Sequence, residues 1–218
     1  MRGKLTVTPA ELNKSFTLML NELLTDTDFK KSKIGCLKRN ISDCRQFFTF
    51  YFTRDRGLPG NTYSLTATLS FSFLELDRLT RGFLGGEYDA RDKQFLTGAE
   101  PLYEVVPDGL PTRYKYCADK SIRRLAEMVS GDFHDYALSF YEKYDTLEKL
   151  EHYFERRFQG EKRGFRVTRE GKKTGDGQAC CYAAVLSLLG KTAKLEKFLE
   201  ENDVLADEYK ERIRKSII

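Results

Sequence analysis

The stretch TYSLTATLSFSF, residues 62–73, alternates without a slip. Tyr63, Leu65, Ala67, Leu69, Phe71 and Phe73 make one set, and Thr62, Ser64, Thr66, Thr68, Ser70 and Ser72 the other. Successive side chains of a strand point to opposite faces, so a period of two commits the segment to a strand with one apolar face. Leu65, Leu69, Phe71 and Phe73 are expected in the core, at about 1.5–3 kcal/mol each when fully buried. The other set is six small hydroxyls with no charge among them. Water, a partner or later parts of the chain must cover it.

A second strand is predicted at 45–53, RQFFTFYFT, and the loop RDRGLPGN at 54–61 carries Gly and Pro turn signals. Two adjacent strands joined this way make an antiparallel hairpin. Phe48, Phe50 and Phe52 line one face of 45–53, and Phe47, Thr49 and Tyr51 the other. Aromatics on both faces mark a central strand. If the Phe47/Tyr51 face adjoins the Ser/Thr face of 62–73, the result is a floor of hydroxyls set with rings. Such a floor is cheap to desolvate because no charge is stripped of water. Aromatic enrichment with charge depletion is also what an interface core looks like. Phe47, Tyr51, Thr66, Thr68 and Ser70 are therefore the candidate protein-binding residues. The competing reading is the solvent side of an antiparallel sheet, where Thr is favoured.

Helical patterns flank these strands. TPAE at Thr8–Glu11 has the makings of a capping box with Pro at the first helical position. Leu12, Phe16, Met19, Leu20 and Leu23 follow at helical spacing, predicting a helix to about Leu24. Residues 33–39 read as a weak strand, 74–84 as a short helix ended by Gly85–Gly86, and 94–106 and 111–117 as two poorer strands. From about Asp119 the period is helical. Ile122, Leu125, Ala126 and Val129 form one stripe, and Phe133, Tyr136, Ala137, Phe140, Tyr141 and Tyr144 the next. Asp145 is placed to cap a third helix. Residues 159–177 break the series, and helices are expected at 178–189, 191–201 and 203–217. Strands followed by helices predict an α+β fold. Its expected parts are an N-terminal helix, an antiparallel sheet of about four to five strands, and about five to six C-terminal helices. We expect one domain over 1–218, with a sheet half to about 118 and a helical half from about 119.

The catalytic signals are sparse. The histidines are His134 and His152 alone. GDFHD at 131–135 groups Asp132, His134 and Asp135, which reads first as a polar helix start with a capping aspartate and otherwise as an Asp-oriented base of a hydrolase-type enzyme or a metal pair. His152 sits beside Glu151 and Glu155 on a charged helix face. Zinc needs three or four converging Cys/His ligands. Cys180 and Cys181 are adjacent on a helix, diverge by about 100°, and read as core fillers. EGKKTG resembles part of a phosphate-binding loop, but Arg166 stands where that motif needs its first glycine. No cofactor and no metal ligand set is expected.

The segment 159–177 is a second candidate site. Arg163, Arg166, Arg169, Lys172 and Lys173, with Lys162, outnumber Glu161, Glu170 and Asp176. Such a loop could take phosphates, a nucleic acid or an acidic partner. Against a dedicated nucleic-acid module stands a net charge of only +4, from 37 basic and 33 acidic residues. The start lacks an apolar signal region, no apolar run reaches membrane-span length, and five cysteines without C-x-x-C spacing fit reduced thiols. A cytoplasmic protein without a membrane segment is the expectation.

DFKK after the first helix, with Phe29-Lys30-Lys31, the aromatic strand pair, and ALSFYEKYDTLEKLEHYFERR from Ala137 together resemble a family of small uncharacterised bacterial proteins with a domain of unknown function. The likeness spans most of the chain. It implies the helix, antiparallel-strand, multi-helix plan and a single-domain interaction role of the bacterial immunity type. It carries no catalytic residues.

Overall fold

The computed structural model describes residues 7–55, 62–86, 97–117, 120–158, 174–202 and 205–217. The fold is α+β. Helix α1 (Pro9–Leu23) precedes β1 (Lys30–Lys33), β2 (Cys36–Ile41), β3 (Cys44–Arg54) and β4 (Thr62–Phe73). Then come α2 (Leu74–Phe83), β5 (Gly98–Pro101), the single turn α3 (Leu102–Val105) and β6 (Lys115–Cys117). Next are α4 (Ile122–Asp132), a π-helical turn (Phe133–Ala137), α5 (Leu138–Glu142) and α6 (Leu147–Phe158). Helices α7 (Thr174–Leu188), α8 (Thr192–Glu201) and α9 (Asp207–Ile217) follow. The strands form one six-stranded sheet in the order β1-β2-β3-β4-β5, with β6 antiparallel to β4.

The chain divides into two compact units, each drawing on both halves of the sequence. The first comprises residues 1–40, 46–70 and 100–141, and the second 41–45, 71–99 and 142–218. The long strands β3 and β4 contribute residues to both.

In the first unit, α1 starts as the sequence dictates. Thr8 and Glu11 form a reciprocal capping box, with Pro9 at the first position. Phe16 then packs edge-on against Phe50 and Phe52, with centroids 5.3 Å apart in both pairs. Phe133 meets Phe29 and Phe48 at 5.1 and 4.7 Å. These rings fill the inner side of β3, where Phe48, Phe50 and Phe52 are buried.

The expected weak strand at 33–39 is instead the hairpin β1–β2. Gly35 turns it at φ +75°, a left-handed conformation that costs glycine nothing. Its carbonyl accepts from Phe50 N at 2.9 Å, and a Cβ at Gly35 would lie 2.6 Å from the Phe50 oxygen.

The predicted break before Phe133 is absent. Val129, Phe133, Ala137 and Tyr141 are all buried and recur every fourth residue. Steps of four drift about 40° each around an ordinary α-helix. The wider π turn at 133–137 absorbs that drift and keeps the row inward. Asp132 is therefore the end of α4 inside a continuing helix and caps nothing.

Other boundaries also move. Of the expected strand 94–106, residues 94–96 lie outside the described residues, and among the rest 98–101 are strand, followed by a helical turn. The expected strand 111–117 starts at Lys115. Thr146, rather than Asp145, caps α6, its hydroxyl accepting from Lys149 N at 3.3 Å. Asp145 holds the Lys149 ammonium at 2.7 Å instead. Helix α7 begins at Thr174, four residues before the expected Gln178.

In the second unit, α7 packs on α2, α6, α8 and α9. Tyr182 of α7 meets Phe154, Phe158 and Phe198, with centroids 4.8–5.6 Å apart. Cys180 and Cys181 are buried in this helix, as core fillers should be. Phe71 stacks on Tyr144 at 5.5 Å. Glu151 of α6 receives Lys191 and Lys194 at 2.5 and 2.6 Å.

Candidate functional site

The apolar set of β4 is core throughout: Tyr63, Leu65, Ala67, Leu69, Phe71 and Phe73 are buried. The hydroxyl set splits. Thr62, Ser70 and Ser72 are buried, and Ser64, Thr66 and Thr68 are half-buried. On β3 the matching face shows Phe47 and Thr49 half-buried and Tyr51 and Thr53 exposed.

Side-chain hydrogen bonds place the two strands side by side. Thr49 Oγ1 donates to the Thr68 carbonyl at 3.5 Å, and Thr53 Oγ1 to the Ser64 carbonyl at 3.4 Å. Ser70 Oγ donates to the Phe47 carbonyl at 3.4 Å. These contacts set the Thr/Ser face of β4 beside the Thr49/Tyr51 face of β3 in the first unit, where Tyr51 is 52% exposed. Ser70 lies beneath this surface rather than on it.

Ser72 is buried for another reason, within the second unit. Its hydroxyl donates to Asp77 of α2, whose other oxygen receives Thr97 Oγ1 at 2.6 Å. Thr97 Oγ1 also accepts from Phe73 N at 3.0 Å. Burial pushes the Asp77 carboxyl up to about 7 despite these donors and the charges of Arg81 and Arg45. No local pattern signals this cluster, because residues 72, 77 and 97 meet only through the fold.

Asp132 and His134 do not converge on a common centre. Asp132 is buried and takes a bidentate bond from Arg113, at 2.7 and 2.8 Å, plus the Tyr114 hydroxyl at 2.8 Å. Burial, the Asp132 bond and the Asp132 charge push the Tyr114 phenol well up. His134 points to Asp26, with Nε2 3.1 Å from Oδ1. Asp135 is exposed. His152 is an exposed helix residue, its Nδ1 3.9 Å from Glu155. With Tyr144, Lys149, Tyr153 and Arg156 it lines a shallow groove of about 380 Å³. The Lys149 ammonium is already held there by Asp145 and the Glu142 carbonyl.

Arg163, Arg166, Arg169, Lys172 and Lys173 lie outside the described residues. Among the described residues no three His, Cys, Asp or Glu side chains gather in a way that could hold a metal ion. Nor is any described helix long and apolar enough to cross a membrane. No family model, curated protein or solved structure matches the chain.

Proposed function

We propose that the protein is a non-enzymatic binding protein that engages another protein through the outer face of β3 and β4. A cytoplasmic, immunity-type inhibitor is the form of this role suggested by the sequence resemblance. The observation that carries the reading is Tyr51, 52% exposed on a central strand beside the Thr/Ser face of β4. A partner laid on this floor strips no charge of water, and a rigid Tyr supplies contact area at low entropy cost. The sheet edge is a less suitable docking place. Strand β1 is one edge, and all four of its residues, Lys30, Lys31, Ser32 and Lys33, are exposed. Lysines on an edge strand oppose the addition of a further strand.

A pull-down from native cells tests this role. The wild-type chain should recover one protein in stoichiometric amount, and a Phe47→Ala/Tyr51→Ala variant should lose it. Equal recovery by both, or no stoichiometric partner, would refute the reading.

A further inference from the structure

The uncharged floor has a charged frame in which lysines outnumber the carboxylate of Asp55. In β2, Arg39 turns inward, its guanidinium 4.9 Å from the Phe29 ring and its Nε 2.7 Å from Gln46 Oε1. Neighbouring residues of a strand face opposite ways, so Lys38 points to the outer face. Lys30 is the register partner of Lys38 across β1–β2 and shares that face. At the far side Lys115 of β6 pairs with Ser64 of β4 and shares the face again. The charges of Lys33 and Lys38 both act on the buried Cys36 thiol between them. The carboxylate placed at this face by a hydrogen bond is Asp55, which accepts from Ser64 at 2.8 and 3.1 Å.

The floor itself accepts hydrogen bonds. A hydroxyl has one proton and two lone pairs. The protons of Thr49, Thr53 and Ser64 are engaged by the Thr68 carbonyl, the Ser64 carbonyl and Asp55. Their lone pairs remain for an N–H donor. A phosphate would find donors at the lysine frame but acceptors across the floor itself, whereas a polypeptide brings both carboxylates and N–H groups. Sheet platforms for single-stranded nucleic acid also stack two or three bases on aromatics. Among the described residues one ring on this face, Tyr51, is more than half exposed. The chemistry favours a polypeptide.

We infer that the occupant of this face is an acidic segment of another protein, its carboxylates paired with Lys30, Lys38 and Lys115 and its N–H groups received by the Thr and Ser oxygens. The inference rests on the reading that the face binds protein. From β2 to β6 is three strand spacings, about 14 Å, and Thr53, which meets Ser64, lies about 20 Å along β3 from Phe47, which is level with Lys38, so an extended segment of about seven residues reaches both lysine groups.

The test is selection of displayed random peptides of about 12 residues on the full-length chain. The winners should carry net negative charge, and their binding should weaken with added salt. It should fall about tenfold in Lys30→Glu/Lys38→Glu/Lys115→Glu and in Tyr51→Asp. All the altered side chains lie at the surface, and unchanged melting confirms that the variants fold. Acidic winners indifferent to the triple reversal would overturn the inference, as would failure to enrich any peptide. Neutral winners lost only in Tyr51→Asp would overturn it while leaving the protein-binding role standing. Winners indifferent to Tyr51→Asp as well would remove both. A 12-nucleotide oligo(U), added as a competitor, should bind more weakly than the peptides. Tighter binding, lost in the same variants, would overturn the inference in favour of nucleic acid.

Discussion

His134 stands between two acceptors. Its Nδ1 lies 2.8 Å from the Ser130 carbonyl and its Nε2 3.1 Å from Asp26 Oδ1. Only the imidazolium, with both nitrogens protonated, satisfies both. The contact ties the π turn to the 3₁₀ turn at Thr25–Thr27, so the one irregular stretch of the long helix is anchored by an ion pair.

A pH dependence follows. Burial pulls the His134 pKa down, but the Asp26 hydrogen bond, the Ser130 carbonyl and the charges of Asp26 and Asp135 outweigh it, so the ring titrates above 6.5. A raised histidine pKa gives stability that is complete below the unfolded value and fades as pH rises through the folded one. The Asp26→Asn variant should melt below wild type at about pH 5.5 and together with it at about pH 8.5. Thermal melts across that range check this. A pH-independent difference would contradict it.

Asp77 shows the same direction, the reverse of what a carboxylate usually gives. Its folded pKa of about 7 lies above the ordinary 3.8, so between those values the native chain holds a proton that the unfolded chain has released. Stability contributed at this site therefore falls as pH rises through that window. Asp77→Asn should gain on wild type from about pH 4 to about pH 7 and then hold its gain. Urea unfolding at four pH values measures it.

Removing Asp132 should be costly. Arg113 and the buried Tyr114 hydroxyl would both lose their acceptor. We expect Asp132→Ala to lose about 3 kcal/mol of unfolding free energy. Asp132→Asn, which keeps an oxygen for Tyr114, should lose about half of that. Loss of enzymatic turnover is not what this variant should report, because the carboxylate has a structural partner on each oxygen.

Adjacent residues of β4 should behave oppositely. Leu69 is fully buried and Thr68 half-buried. Leu69→Ala should cost about 2–5 kcal/mol, and Thr68→Ala about 0.5 kcal/mol or less. Denaturant midpoints of the pair measure how sharply the alternation divides core from face.

That alternation was legible because burial of one face imposes a period of two on twelve consecutive residues. The capping box at Thr8 and Glu11 was legible because both partners lie within one turn. The lysine frame was not. Lys115 reaches the face only through pairing with Ser64, 51 positions away by subtraction of the two residue numbers, in a strand of three residues that shows no period. Nor was the continuous helix through GDFHD readable, since a polar pentapeptide looks like a start unless the row of every fourth residue is known to face one core. The Ser70 hydroxyl was assigned to the open face because a strand pattern gives orientation and says nothing about what packs above it.

The central claim is that the face around Tyr51 meets another protein. The most direct measurement places a photoreactive phenylalanine at position 51, and separately at exposed Leu188 of α7 as a control, in the cells that make the protein. Irradiation should give one discrete crosslinked protein species from position 51 and none of that size from position 188. No crosslink from position 51, or the same products from both positions, would contradict the account.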